Sequence, residues 1–293
     1  MSRKTAFCTL LLLLVCWASL IIPASAQHFQ QVTGPSLFLA AGRSEVFGVD
    51  DTNAAWRYQP GSSSFKKIAG ALLDRLAVGG GTDSQLDEVW GIGVNSQVFR
   101  FNYSTNTFDQ IPGNLARITV GVGYEDQCHP YEVWGINNGQ QVFRYDYCSG
   151  QFNPSPGSFL DEIATGGSDV WGINDNLQIV HYSFAQEKFA VVPGTLDGIA
   201  VGVNDVWGRN NSGDIFRYDP NNGSWSLKGS GSEVAVGGDG VWVIGENNSV
   251  WRFDSSAEKF VEVPGSLQSI TVGSGAGVFG ENASGELFTF VRP

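Results

Sequence analysis

The sequence predicts an all-β fold, a seven-bladed β-propeller of four-stranded antiparallel blades, on three observations. A string of the form Asp-Val-Trp-Gly recurs seven times, centred on Phe47, Trp90, Trp134, Trp171, Trp207, Trp242 and Phe279, at steps of 43, 44, 37, 36, 35 and 37 residues. A period in this range belongs to solenoids, propellers and arrays. Each copy is followed by a second strand-like string, such as Phe99-Arg100-Phe101, Phe143-Arg144-Tyr145 or Phe216-Arg217-Tyr218. Beyond the first residues no apolar 3.6-residue period survives, and 38 glycines punctuate the chain, so helix signals are absent.

The first 26 residues stand apart from this pattern. Arg3 and Lys4 precede an apolar run from Leu10 to Val15, and Ala24-Ser25-Ala26 forms a small-residue cleavage site before Gln27. That is the three-part layout of a secretory signal, and the run is short of the ~20 residues a bilayer span needs. The expectation is a signal over 1–26 and an exported, soluble domain over 27–293, secreted or, in a Gram-negative cell, periplasmic.

Without the leader the chain carries 15 Lys and Arg against 29 Asp and Glu, a formal charge of -14 instead of -12. Such a balance argues against a nucleic-acid binder, which needs cations for phosphate, and against charge-driven binding to anionic membranes. Cys8 and Cys16 leave with the leader, so Cys128 and Cys148 remain as a predicted disulfide.

Within a repeat four short strings can be traced. In the clearest unit they are Leu196 to Gly202, Asp205 to Arg209, Asp214 to Tyr218 and Ser224 to Lys228, the usual size of β-strands. The first string ends in small residues, as in Ala77-Val78-Gly79 and Ala200-Val201-Gly202. Blades converge on a central channel, so the string with the smallest side chains belongs innermost. In the second string Trp and Gly lie on opposite faces, where each is expected to serve a different neighbouring blade.

Turn chemistry fits this frame. Asn137-Asn138-Gly139, Asn174-Asp175-Asn176 and Asn210-Asn211-Ser212-Gly213 separate the second and third strings and suit the positive φ of tight hairpins. Pro112-Gly113, Pro156-Gly157, Pro193-Gly194 and Pro264-Gly265 follow the fourth strings, predicting type II turns toward the next blade. Residues 28–32 match a fourth string, and the last copy stops after its third. The N-terminal strand is therefore expected to complete the C-terminal blade alongside residues 286–290, leaving no free edge between the termini.

Two insertions break the symmetry. Gly79 to Val89 and Gly121 to Val133 are longer than their counterparts. Both fall in the same loop of adjacent blades, which predicts one patch on one face, with Cys128 in the second insertion and Cys148 within reach.

The repeat resembles the tectonin-type propeller repeat of the tachylectin and fish-egg lectin group. The residues that carry the likeness are Val192-Pro193-Gly194-x-Leu196-x-x-Ile199-Ala200-Val201-Gly202, Asp205-Val206-Trp207-Gly208 and Ile215-Phe216-Arg217-Tyr218, and it extends from about Phe29 to Phe290. The resemblance implies a lectin that recognises glycans, including those of microbial surfaces, by multivalent contact. The sequence departs from it in having seven repeats where familiar relatives have six, in Phe47 and Phe279 at the Trp position, and in Val241-Trp242-Val243-Ile244-Gly245, whose Gly is displaced.

No catalytic constellation stands out, and an enzyme is not expected. His28, His129 and His181 are scattered, without His-Glu-x-x-His or Cys-x-x-Cys metal spacing. Trp90, Trp134, Trp171, Trp207 and Trp242 are open to two readings, packing between blades or stacking on a sugar ring. The recurring Arg57, Arg100, Arg144, Arg217 and Arg252 are open to two as well, inter-blade hydrogen bonding or recognition of a carboxylate or phosphate. The insertion patch holds Asp83, Asp87, Glu88, Tyr124, Glu125, Asp126, His129 and Tyr131. Its acids are of the kind that hold calcium, yet no Asp-x-Asp-x-Asp-Gly loop is present, and a solvated acidic loop is expected. No cofactor is called for. The expected protein is a monomeric glycan binder with several weak, repeat-related sites; the alternative is a protein-binding scaffold that uses the insertion face, and a polysaccharide hydrolase or lyase ranks third.

Overall fold

The computed structural model describes residues 27–83 and 85–292, with 124–126 as backbone only; the leader expected over 1–26 lies outside the described residues. Among the described residues, apart from the 3-10 turns Pro60–Ser62 and Glu246–Asn248, every regular element is a strand. Unit 5 shows the plan. Its strands Gly198–Val201, Val206–Arg209, Asp214–Asp219 and Ser224–Ser230 form an antiparallel meander. Units 3, 4 and 6 repeat it over residues 117–159, 162–195 and 233–266.

Units 1 and 2 differ, because the 16-residue strand Ser64–Gly79 serves as the last strand of one and the first of the other. In unit 7 the strands Ser269–Val272, Val278–Glu281 and Leu287–Val291 are joined by His28–Val32, with His28 opposite Val291 and Val32 opposite Leu287. This pairing lies one residue further along than 286–290.

The first strands crowd one another around a central cavity of about 340 Å³ lined by small residues from all seven units. A Cβ added to Gly79, Gly121, Gly166 or Gly237 would lie 2.2–2.6 Å from a carbonyl oxygen of the next unit, and one on Gly273 would lie 2.3 Å from the Gly42 oxygen. No real Cβ approaches so closely, so glycine is the residue the innermost strands admit.

Each large aromatic of the second strand packs on the third and fourth strands of the following unit. Trp90 meets Tyr145 and Phe152, Trp134 meets Tyr182 and Phe189, and Trp207 meets Phe253 and Phe260, with nearer centroids 4.7–4.8 Å apart. Trp242 meets Phe290 and Phe29, and Phe279 meets Tyr58 and Phe65 of unit 1. Such edge-to-face pairs add about 0.5–1.5 kcal/mol each beyond the area they bury.

Two local expectations are corrected, and a third in part. The glycine after Trp does not serve a neighbouring unit. It accommodates a leucine of its own: a Cβ on Gly135, Gly172 or Gly208 would lie 2.4, 2.5 or 2.2 Å from Leu115, Leu160 or Leu196. The Pro-Gly pairs are not turns between units. The strands Thr107–Asn114, Gln151–Phe159, Lys188–Thr195 and Lys259–Ser266 run through them, with a register shift where the extra residues bend the strand. In the hairpins Gly213, Asn247 and Asn248 carry the expected positive φ, but Asn137, Asn174 and Asn210 act instead through side-chain oxygens that accept the N–H two residues on, and positive φ falls on Gln140 and Leu177.

Candidate functional site

The second and third strands are in register so that each Trp lies opposite the basic residue ten positions on, as Trp134 opposite Arg144 and Trp207 opposite Arg217. Two residues before Trp90, Trp134, Trp171 and Trp207, on the same face, stands an acid. Glu88 and Glu132 each bind their arginine, Arg100 and Arg144, through Nε and Nη2 and also accept the indole N–H of Trp90 and Trp134. Glu45 holds Arg57 by the same fork. Asp205 holds Arg217 through Nε, and Asp169 takes Trp171 and His181, whose ring stacks on the indole at 4.3 Å. Burial would raise the Asp169 carboxyl, but bonds from His181 and Trp171 prevail and hold it below the usual carboxylate range. These acid–aromatic–base groups are the polar joints of the sheets. Their aromatic and basic members recur visibly in the sequence, whereas the acids, each 12 residues ahead of its base, become partners only through the strand register.

The five predicted tryptophans are buried at 0–1 % exposure. No ring face is open to solvent, and stacking on a sugar would require neighbouring units to part. Arg100 and Arg144 are committed to their carboxylates and covered by aromatics of the next unit, Tyr147 at 5.1 Å and Phe184 at 5.2 Å. Arg217 also reaches Glu258. Arg252 has no acid partner of this kind: position 240 is glycine, and its Nε is buried without a hydrogen bond among the described residues.

Clefts lie between successive units. One of about 600 Å³ is lined by His129, Trp134, Arg144 and Ser155 of unit 3 and Tyr182, Phe184 and Glu187 of unit 4. Another, of about 650 Å³, is lined by Arg252, Phe253, Asp254 and Pro264 of unit 6 and by Gln27 at the start of the N-terminal strand. A third, of about 690 Å³, opens over Asp169 and His181. The first two use matching repeat positions and mix aromatic, aliphatic and charged walls.

The insertions do come together. The Tyr131 hydroxyl donates to the Leu86 carbonyl at 3.1 Å, and Cys128 and Cys148 form a disulfide with Cα atoms 5.0 Å apart. The side chains of Tyr124 and Asp126 lie outside the described residues. The expectation of a solvated acidic loop is corrected for two of its acids. Glu88 belongs to the Trp90–Arg100 joint, and Asp87, 1 % exposed, accepts the N–H groups of Arg43, Ser44, Glu45 and Gly81. Asp87 thereby pins the first turn of unit 1 to unit 2. Among the described residues the one cluster with metal-ligand geometry is Cys128, Asp146 and Cys148, and both its sulfurs are consumed in the disulfide.

Four-stranded antiparallel sheets packed face to face around a small-residue cavity, with clefts at their junctions, define a propeller-type protein. The tectonin domain model matches residues 36–226 and 204–292, so the chain belongs to the tectonin-domain family. No curated protein matches the sequence. Among solved structures, the chain is similar to Prp20p from Saccharomyces cerevisiae, described with its binding to Gsp1p and histones (10 % identity, 87 % of this chain and 82 % of that one, TM-score 0.64). It is similar to YCF48 bound to a D1 peptide (13 %, 92 % and 97 %, TM-score 0.65) and to U3-55K (9 %, 90 % and 98 %, TM-score 0.66). At such identities these likenesses concern the fold alone.

Proposed function

We propose that this protein is an exported lectin: residues 1–26 direct secretion, the seven units are blades of a ring closed by the N-terminal strand, and glycans bind weakly in the clefts between blades. Closure is supported by the pairing of His28–Val32 with Leu287–Val291 and by the contact of Phe279 with Tyr58 and Phe65. The observation that carries the binding reading is that the clefts at Arg144 and Arg252, three junctions apart, are walled by the same repeat positions of their units, Arg144 with residues 153–156 and Arg252 with residues 261–264. An apolar wall with a few fixed polar groups suits the two faces of a pyranose. Repetition of weak sites raises avidity without new contacts. The test is a glycan array probed with the purified protein, with and without calcium. Sugar-competed binding is expected; its absence under both conditions would remove the proposal.

A second reading, a protein-binding scaffold, is favoured by the insertion face, where Leu86 is 57 % exposed beside the Tyr131 contact. It is also the kind of role named for Prp20p and YCF48. Leu86→Asp separates the two, because Asp87 and its turn contacts are retained. Partner binding lost in this variant and indifferent to competing sugars would favour the scaffold.

A further inference from the structure

In units 1 to 5 the basic residue of the third strand is bound by an acid of its own unit. In unit 7 both are gone, replaced by Gly277 and Thr289. Unit 6 keeps the base and lacks the acid. Arg252 lies over Trp242 at 5.7 Å, much as Arg144 lies over Trp134 at 5.5 Å, but Gly240 stands where the carboxylate would arise. A Cβ added there would be 3.7 Å from Arg252 Nε and 3.9 Å from Nη2.

The surroundings add positive charge. Tyr103, Tyr147 and Phe184 cover the arginines of units 1, 2 and 3; Arg292 takes the equivalent place over unit 6. Asp239 is bound by Arg292 at 2.7 Å, while its carbonyl accepts the Trp242 indole. Burial, and then the Arg292 cation, hold the Arg252 guanidinium below the ordinary arginine range. Asp254 and Glu262 line the same cleft, and one Asp254 oxygen is engaged by Ser256 and Ala257. Their charges disfavour a dianion more than a monoanion.

We propose that Arg252 is the recognition group of an oxyanion site in the cleft between units 6 and 7, and that the carboxylate of a sugar acid fills the place left by the missing repeat acid. The planar fork of arginine suits a carboxylate. That the carboxylate is carried by a sugar rests on the lectin reading; the oxyanion site does not.

The test is NMR titration of the purified protein, following the Trp242 indole N–H and the Arg252 Nε–H, with glucuronate, glucose and acetate. Saturable shifts are expected with glucuronate, competed by acetate and absent with glucose, and roughly tenfold or more weaker in Arg252→Gln. Unmoved signals, or equal affinity in a folded Arg252→Gln protein, would overturn the proposal. Should that variant fail to fold, the wild type decides: glucuronate binding undiminished by acetate or by about 0.5 M NaCl contradicts an ionic site. A silent glycan array with glucuronate still bound at Arg252 overturns the lectin reading alone. A positive array without an effect of glucuronate at Arg252 overturns this inference alone.

Discussion

Gly231 and Val243 occupy, with their sizes exchanged, the places that Leu196 and Gly208 hold in the preceding unit. A Cβ on Gly208 would lie 2.2 Å from Leu196 Cδ1, and a Cβ on Gly231 would lie 2.3 Å from Val243 Cγ1. The displaced glycine of unit 6 is therefore one half of a compensating swap. Gly231→Ala alone is expected to destabilise by about 1–3 kcal/mol through overpacking, because the Ile244 carbonyl also lies 2.5 Å from the new Cβ. Adding Val243→Gly should recover part of that loss, with a coupling of about 0.5–3 kcal/mol in a double-mutant cycle read by urea unfolding. Strict additivity would contradict the swap.

Glu132 is fully buried and carries both Arg144 and the Trp134 indole. Its removal leaves a guanidinium that is only 18 % exposed without a counter-charge. Glu132→Ala should cost about 3–5 kcal/mol. Asp205→Ala should cost less, since Asp205 is 26 % exposed and Arg217 keeps Glu258. Unfolding midpoints of the two variants check the order.

The Glu233 carboxyl, in the first strand of unit 6, is pushed up by burial to about 7, against one opposing hydrogen bond from the Ile270 N–H. Between about 4.5 and 7 the folded protein then binds more protons here than the unfolded chain, so stability falls as pH rises through that window. Below it both states are protonated and the difference vanishes. Glu233→Gln should match the wild type near pH 4.5 and exceed it at pH 8, by on the order of 2–3 kcal/mol. Urea unfolding at several pH values measures the difference, and parallel pH profiles would refute it.

The Cys128–Cys148 bridge closes a separation of 20 residues, for which chain entropy gives roughly 3 kcal/mol. Reduction should lower the thermal midpoint while leaving the sheets intact, since the bridge joins an insertion to a hairpin turn outside the Trp134 joint. Far-UV circular dichroism before and after reductant checks both halves of that statement.

The strands were legible because side-chain size repeats with the chain: glycine wherever inner strands meet, Trp or Phe wherever one sheet faces the next. The disulfide was legible from its two cysteines and their loops. The acids of the joints were harder to read, because their meaning depends on antiparallel register. Glu132 and Arg144 are remote in sequence and adjacent only once Trp134 lies opposite Arg144. Asp87 was illegible for a related reason, since its partners at Arg43, Ser44 and Glu45 belong to another unit. The Pro-Gly pairs misled because bulge and turn ask for the same residue types.

A crystal structure of the protein soaked with an acidic oligosaccharide tests the central claim most directly. The account predicts sugar density in the clefts between units, with a carboxylate on the Arg252 guanidinium and the Trp242 ring still covered. Sugar bound only elsewhere, in the central cavity or on the insertion face, would contradict it.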